Sequence, residues 1–553
     1  MKKLLNKYWP YLLIFGLSFL VTWPLFRYGY FSHQDDLQII RIFEMRKCFT
    51  DFQIPCRWVS DMGWGNGFPL FNFYGVSTYY FGAVLSYLTG FIGASKILFY
   101  ISLTAGSFGI YLLCKSLWGK LPGVVSAILY LFAPYKALDV YVRGALAEGL
   151  ALTLIPFVFY FGYKLATSSE KRKYGILFAI FVFIFMITHN IMVLIFLPVL
   201  IAWLVYWISL DKWKNIKNVA ISMVLGIGLS AFFILPAFFE KNLVQTESLL
   251  RFELDFRANY LKVSQLFFDR IWGYGTSIPG PEGGMNFQVG WPHWWLAAIS
   301  LPLLFAAKIK KKMKILVALI LGTFALSVFM THNKSTFIWV NISLLKYFQF
   351  PWRFLSLSIF TSALLGGFVA SVVKTKWQIY VSLLIIILSI VFNWNYFKPK
   401  VFYSVNDSQK LSGELWDQQK KGALLDYLPK TALEPREAAP VEPIVKSGQA
   451  ETIGFVNRSN SWEFTAKVAN KAEIEIPVFY FPNWKVNVDG RMYPFSYNNI
   501  LGRISVSLNP GEYKIEGKFE NTPLRMVANA ITIISVVGLV GYAAYEKNKK
   551  RTV

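Results

Sequence analysis

Apolar runs long enough to cross a bilayer recur along the chain, and short loops rich in Lys and Arg separate them. A spanning helix needs about 20 apolar residues. Soluble proteins rarely repeat such runs, so this feature confines the chain to a multi-pass membrane architecture. Composition agrees: 55% of the 553 residues are hydrophobic, and mean hydropathy is +0.43. A net charge of +25 would suit a nucleic-acid binder, but its distribution speaks against one. Residues 397–523 carry 16 Lys+Arg against 15 Asp+Glu. The excess sits at Lys2, Lys3 and Lys7, Lys115 and Lys120, Lys164, Lys171 to Lys173, Lys212 to Lys217, Lys308 to Lys314, Lys374 and Lys376, and Lys547 to Arg551. That is the positive-inside pattern, which fixes orientation rather than partners.

Taking the basic loops as cytoplasmic predicts twelve spans: 8–27, 94–114, 121–138, 147–165, 174–188, 190–209, 218–238, 291–307, 314–331, 353–373, 378–396 and 525–545. Both termini then fall inside. The N-terminus is basic, then apolar, with no small-residue cleavage site, and reads as an uncleaved first span. Residues 74–91 are also apolar, but counting them would put Lys115 and Lys120 outside and invert every later loop. Rich in Tyr, they read as an interfacial or re-entrant helix; residues 335–350 are read the same way.

The outer loops are then 28–93, 139–146, 239–290 and 332–352, within a transmembrane domain of 1–396, together with 397–523. Residues 37–47 alternate apolar and charged side chains at helical spacing, which predicts an amphipathic helix on the outer leaflet. Residues 397–450 form a polar, Pro-containing connector with a helix at 408–426. In 451–523 the period drops to two. Trp462, Phe464, Ala466 and Val468 share a face, as do Ile504, Val506 and Leu508, then Tyr513, Ile515 and Gly517. Asp489-Gly490 and Asn509-Pro510-Gly511 are turn signals between such runs. This predicts a small extracytoplasmic β-sandwich, followed by a C-terminal span and basic tail over 524–553. Cys48 and Cys56 share the first outer loop and can pair in an oxidising compartment or stay as two thiols. Cys114 lies in a span.

The outer loops and span ends gather His33, Asp35, Asp36, Arg41, Arg57, Asp61, Arg143, Glu148, His189, Asn190 and Arg353. They fall in four motifs: HQDDLQIIR (33–41), RWVSDMGWGNGFPLFNFYG (57–75), YVRGALAEG (141–149) and FPWRF (350–354). Adjacent acids at a membrane surface are costly unless they hold a cation, accept a proton or face an Arg. Each candidate also has a structural reading. Asp35 or Asp36 can cap the following helix, Arg143 can pair with Glu148, His189 can serve a turn, and Arg353 can snorkel to headgroups. The run Gly63, Gly65, Gly67 lacks the Lys-Ser/Thr of a phosphate loop and reads as a tight turn.

These residue types suit sugar transfer from a polyprenyl-phosphate donor. A carboxylate takes the acceptor's proton. Arg, Lys or a divalent cation meets the charge growing on the leaving lipid phosphate. An apolar groove open to the bilayer holds the lipid. Asp35 and Asp36 can act as base or metal ligands, and Arg143 and Arg353 can receive the phosphate.

At these residues the chain resembles the GT-C superfamily of integral membrane glycosyltransferases, which place an acidic motif on the first outer loop, followed by juxtamembrane helices. More closely, it resembles the bacterial multi-pass family labelled pyruvoyl-tetrahydropterin-synthase-related, and related membrane proteins implicated in glycosylating cell-wall polymers. The matching stretches are HQDD, GNGFPLFNFYG, YVRGALAEG, LSAFFILPAFFE (229–240), FQFPWRF (348–354) and YFPNWKVNVDG (480–490). The resemblance implies a GT-C-like transmembrane domain in a bacterial-type plasma membrane. It implies that Asp35 or Asp36 is the catalytic acid/base or a ligand of a divalent cation (Mg or Mn), with Glu148 completing the metal set if the fold brings it near. It places Arg143, Glu148 and Arg353 at the donor-phosphate or acceptor pocket; Arg41, Arg57 and His189 are further candidates there. A pterin synthase would need a soluble fold and a three-His zinc site. This chain has only His33, His189, His293 and His332, far apart in sequence.

Two other functions fit a chain of this class. A lipid-linked sugar transporter would show two pseudo-repeated halves with broken helices at the midplane, and no such halves are evident. A non-catalytic envelope-assembly protein would depend on 451–523 and not on Asp35 and Asp36.

Overall fold

The computed structural model describes residues 2–250, 252–278, 284–422 and 427–549. Among them, eight helices are long and apolar enough to cross a membrane: Lys7–Phe26, Ser77–Trp118, Leu146–Thr167, Asn190–Leu210, Lys311–Met330, Pro351–Val372, Thr375–Tyr396 and Pro523–Ala544. Two bent pairs, Lys120–Leu131 with Pro134–Arg143 (41°) and Ile216–Leu229 with Ala231–Phe239 (68°), raise the number to ten if each is one span. The runs predicted at 174–188 and 291–307 appear as helices of 16 residues, Lys171–Met186 and Trp291–Ala306. At 1.5 Å per residue such a helix is about 24 Å long, short of a ~30 Å hydrocarbon core. Pro351–Val372 is the centre of the body, 89% buried, whereas Pro523–Ala544 is 6% buried and lies at its edge.

The stretch predicted as interfacial continues directly into the next span as Ser77–Trp118, broken at Gly90 (φ 71°, ψ 178°). Asp407 explains the break. Its carboxylate accepts the N–H groups of Phe91 (2.7 Å) and Ile92 (2.9 Å), capping a helix that restarts there. Only glycine fits at the break, because a Cβ on Gly90 would lie 2.3 Å from Asp407 Oδ2.

The predicted amphipathic helix is Gln38–Thr50, but it does not lie open on a leaflet. Its charged residues Arg41 and Glu44 are buried along with Ile39, Ile40 and Ile42. Glu44 accepts backbone N–H groups of Ser60, Asp61 and Met62, which fastens the next loop to the helix. Cys48 and Cys56 form a disulfide.

The period-two region forms a six-stranded antiparallel sheet. Strand Ser461–Phe479 is its spine, paired on one side with Ile444–Asn457. On its other side lie Arg503–Leu508 and Gly511–Phe519, end to end. Asn509-Pro510 is therefore not a hairpin turn but a break within one long edge-to-edge run, where Pro510 has no N–H to give the ladder. Asp489-Gly490 does join a hairpin, Trp484–Val488 to Arg491–Met492. All six strands belong to one sheet, so two facing sheets are not what the hydrogen bonds describe.

The sheet's apolar face is completed from the first loop. The Trp58 ring lies 5.5 Å from Trp484 and 5.4 Å from Phe519, and Phe73 lies 6.3 Å from Phe481. Asn66 binds Arg503 through its side chain (2.8 Å) and Phe479 N–H through its carbonyl (3.0 Å). The glycine run is thus a tight turn that docks the sheet, with φ of 66°, 86° and 70° at Gly63, Gly65 and Gly67.

The predicted connector helix is two helices, Asp407–Lys410 and Gly413–Lys421. Its residues 423–426, and Lys550 and Arg551 of the basic tail, lie outside the described residues.

Candidate active site

The loop between the first span and Gln38–Thr50 is pinned to the turn that precedes Leu146–Thr167. Gln34 N–H donates to Val142 O (3.0 Å), Asp35 N–H to Arg143 O (2.8 Å), and Gln38 Nε2 to Gly144 O (2.8 Å). Gly144 makes this approach possible. Its φ is 68°, and a Cβ there would lie 2.1 Å from His33 Nδ1. The π-helical stretch Leu138–Arg143 ends at this glycine, so HQDD and YVRG meet as one junction.

On the HQDD side, neither Asp side chain caps Gln38–Thr50, whose N-cap is Leu37. Asp35 Oδ2 instead binds Arg41 Nη1 (2.7 Å) and Gln38 Nε2 (2.9 Å). Arg41 is buried, its guanidinium 4.6 Å from the centre of the Tyr74 ring. Asp36 Oδ2 binds Lys410 Nζ at 2.5 Å, and Asp36 Oδ1 has no hydrogen-bond partner among the described residues. Asp36 is the more open acid, 44% exposed against 31% for Asp35. Behind them His33 Nε2 is hydrogen-bonded to the Tyr30 hydroxyl (3.2 Å), which reaches Ser95 Oγ (2.7 Å). Burial pushes the His33 imidazole below its ordinary pKa, opposed by Asp36 and Asp35.

On the YVRG side, Arg143 pairs with Asp139 and, at 3.0 Å, with Glu148. Arg353 approaches the same Glu148 oxygen at 3.6 Å, and the Tyr135 hydroxyl donates to the other at 2.5 Å. Two arginines thus face two carboxylates, all four buried. Buried charges are tolerated when paired in this way. The Arg143 guanidinium also lies 4.4 Å from the Trp352 ring centre. His189 accepts Met192 N–H (3.3 Å) and so caps Asn190–Leu210. Burial pushes it down to about 4; Glu148 opposes the shift, while Arg353 and Arg143 add to it.

Arg57 belongs elsewhere. It donates to Asn72 (3.1 Å) and Asn529 (3.0 Å), and Asn72 joins it to the Glu240–Arg525 pair (2.9 Å) at the base of the C-terminal helix. Asp61 is bound to Lys47 at 2.6 Å, and Asn190 to the Phe73 carbonyl at 2.9 Å.

The metal set suggested by the acids does not assemble. Among the described residues no group of three or more His, Cys, Asp or Glu side chains could hold a metal ion. Asp35 and Asp36 already face Arg41 and Lys410, and Glu148 faces Arg143 and Arg353. The four histidines are equally dispersed; His293 is buried in a helix, against Leu129 O at 2.8 Å.

Two features escaped the sequence. Lys410, 5% exposed, sits 374 residues from its partner Asp36. An apolar cavity of about 880 Å³ lies between Trp291–Ala306 and Lys311–Met330, lined by Leu266, Ala297, Gly322 and Phe324 and ending at His332 and Lys334. Its wall connects to the arginines: Val289 N–H binds Leu266 O, and the Phe287 ring lies 5.0 Å from Trp352. Gln34 Nε2 donates to Gly275 O (2.6 Å), bringing the 239–290 loop to the acids as well.

A family model described as "6-pyruvoyl-tetrahydropterin synthase related domain; membrane protein" matches residues 71–399. No curated protein matches the sequence. Among solved structures, the chain is similar to the apo oligosaccharyltransferase of Archaeoglobus fulgidus, at 12% identity and a TM-score of 0.45 over 76% of this chain and 64% of that one. It is similar to ArnT from Cupriavidus metallidurans bound to undecaprenyl phosphate, at 11% and 0.41 over 68% and 62%. It is also similar to the arabinofuranosyltransferase AftD from Mycobacteria, at 14% and 0.44 over 72% and 28%. The chain spans less than two thirds of the length of each of these proteins.

Proposed function

The chain belongs to this 6-pyruvoyl-tetrahydropterin synthase related family of membrane proteins, and from that premise we propose that it is a membrane glycosyltransferase. In this reading it moves a sugar from a polyprenyl-phosphate donor to a cell-envelope acceptor, a glycan or a lipid. The observation that carries the reading is the junction of the acid loop with the arginine turn, Asp35 N–H to Arg143 O at 2.8 Å.

Asp36 is the base. Its Oδ2 is bound to Lys410, and its Oδ1, buried and without a hydrogen-bond partner among the described residues, is the oxygen that can take a proton from an acceptor hydroxyl brought into the junction. Asp35 is committed to Arg41 and Gln38 and holds the loop. The cavity receives the donor's chain. Negative charge on the departing phosphate meets Arg143, whose turn is hydrogen-bonded to the acid loop. Arg353, Glu148 and His189 shape the arginine cluster from behind, while Arg57 docks the sheet.

The eight long helices, the two bent pairs and the two 16-residue helices, whose shortness a locally thinned bilayer accommodates, read together as twelve crossings, with both termini cytoplasmic and the site on the extracytoplasmic face of a bacterial-type plasma membrane. The sheet then packs above the site as an extracytoplasmic domain.

The test is transfer of labelled sugar from a panel of polyprenyl-phosphate sugars in proteoliposomes, with a membrane-fraction acceptor. Wild type is expected to incorporate label and Asp36→Asn to lose it. Equal incorporation by both removes Asp36 from the mechanism, and no incorporation from any donor removes the transferase reading.

A further inference from the structure

We propose that Lys410 takes the place of a divalent cation at the Asp36 carboxylate, as a positioning residue for the acid pair. Two adjacent carboxylates at a membrane boundary need two positive charges nearby. Here both come from the chain: Arg41 at 2.7 Å from Asp35 and the Lys410 ammonium at 2.5 Å from Asp36. The four groups sum to zero charge.

Lys410 is not a surface lysine that drifted to an acid. It is 5% exposed, and burying an ammonium is costly unless it is paired. Its backbone is held from several sides. Phe402–Tyr403 pairs as a strand with Tyr30–Phe31. Ser32 N–H binds Val401 O (3.0 Å), and Val401 N–H binds Ser32 Oγ (3.0 Å). Asp407 caps the helix restarting at Phe91, and Gln419 Nε2 donates to Lys410 O (2.9 Å). Strand, cap and amide fix one short helix, Asp407–Lys410, so that its last side chain lands on Asp36. A Lys ammonium is a compact point charge, and at this distance it occupies the space a carboxylate-bound cation would need.

Removing the ammonium alone leaves Asp36 without a counter-charge, beside Asp35, and creates the cation site that wild type lacks. Mn²⁺ is the probe, titrated by EPR against the full-length protein in nanodiscs. Wild type and Lys410→Arg are expected to bind no stoichiometric Mn²⁺. Lys410→Met is expected to bind one, about tenfold or more tighter than wild type, and the double variant Lys410→Met/Asp36→Asn to lose it. One Mn²⁺ bound by wild type and released by Asp36→Asn overturns the proposal, as does a folded Lys410→Met that gains none. Where Lys410→Met fails to fold, Lys410→Gln, which drops the charge and keeps a polar side chain, takes its place with the same expected gain. Binding is read without turnover, so the result stands apart from whether the chain transfers sugar.

Discussion

Asp35 and Arg143 are joined through their backbones, N–H to O at 2.8 Å, while their side chains turn to different partners, Arg41 for one and Asp139 and Glu148 for the other. The acid loop and the arginine turn therefore keep a fixed separation whatever their side chains bind.

Gly144→Ala tests that junction. An L residue held at φ 68° costs about 1–2 kcal/mol, and its methyl would meet His33 Nδ1 at 2.1 Å. A lower unfolding midpoint in detergent is expected, together with loss of transfer. A midpoint and turnover equal to wild type would mean the junction tolerates movement.

Asp36→Asn and Asp35→Asn are expected to fail differently. Asp36→Asn removes the base, so turnover falls by roughly 10²–10⁴; it also leaves the buried Lys410 ammonium unpaired, so Asp36→Asn/Lys410→Met is expected to recover the unfolding midpoint but not turnover. Asp35→Asn leaves buried Arg41 without its carboxylate, which costs about 3–5 kcal/mol. Thermal unfolding in parallel with the transfer assay separates them; identical behaviour would merge their roles.

Glu148→Gln strands one arginine. Arg143 keeps Asp139, but Arg353 loses its only carboxylate partner among the described residues. A loss of about 3–5 kcal/mol is expected, and Glu148→Gln with Arg353→Met should recover part of it. A double-mutant cycle read by chemical denaturation gives the coupling.

His189 sets a pH dependence. Its pKa falls from 6.5 unfolded to about 4 folded, chiefly through burial. The unfolded chain thus binds more protons between these values, and stability drops as pH falls from about 6.5 to 4, by about 3 kcal/mol in all. Denaturation across that window should show the slope, and His189→Asn should flatten it. A flat wild-type profile would contradict the shift.

Gly322→Leu probes the cavity. A Cβ at Gly322 would meet nothing within 4 Å, so the side chain can enter the space it lines without displacing backbone. Donor KM is expected to rise about tenfold, near 1.4 kcal/mol, with folding intact. An unchanged KM would move the lipid elsewhere.

What the sequence revealed depends on the range of each interaction. Spans rest on composition within about 20 residues, and most appeared near their expected bounds. The acids stood out because adjacent carboxylates at a membrane boundary are costly unless paired. The partners did not. Lys410 reaches Asp36 across 374 residues, and Arg57 reaches Asn529 across 472, so no local pattern could place the first inside the site or the second outside it. The turn at Asn509-Pro510 misled for a related reason: proline marks a missing donor, and only the neighbouring strand decides whether that becomes a turn or a gap.

The docking of Trp58 against Phe481, Trp484 and Phe519 carries a consequence for biogenesis. The first loop emerges early, with a tryptophan whose neighbours lie roughly 400 residues downstream. At about 5–20 residues per second, it waits some 20–80 s for them. Most of the helices can insert during that interval, but the acid loop gains Lys410 only after the helix Thr375–Asn393 is made. Assembly of the acid loop is thus deferred until about three quarters of the polypeptide has been made. A product truncated before Lys410 would reach the membrane with Asp36 unpaired and the Trp58 indole uncovered.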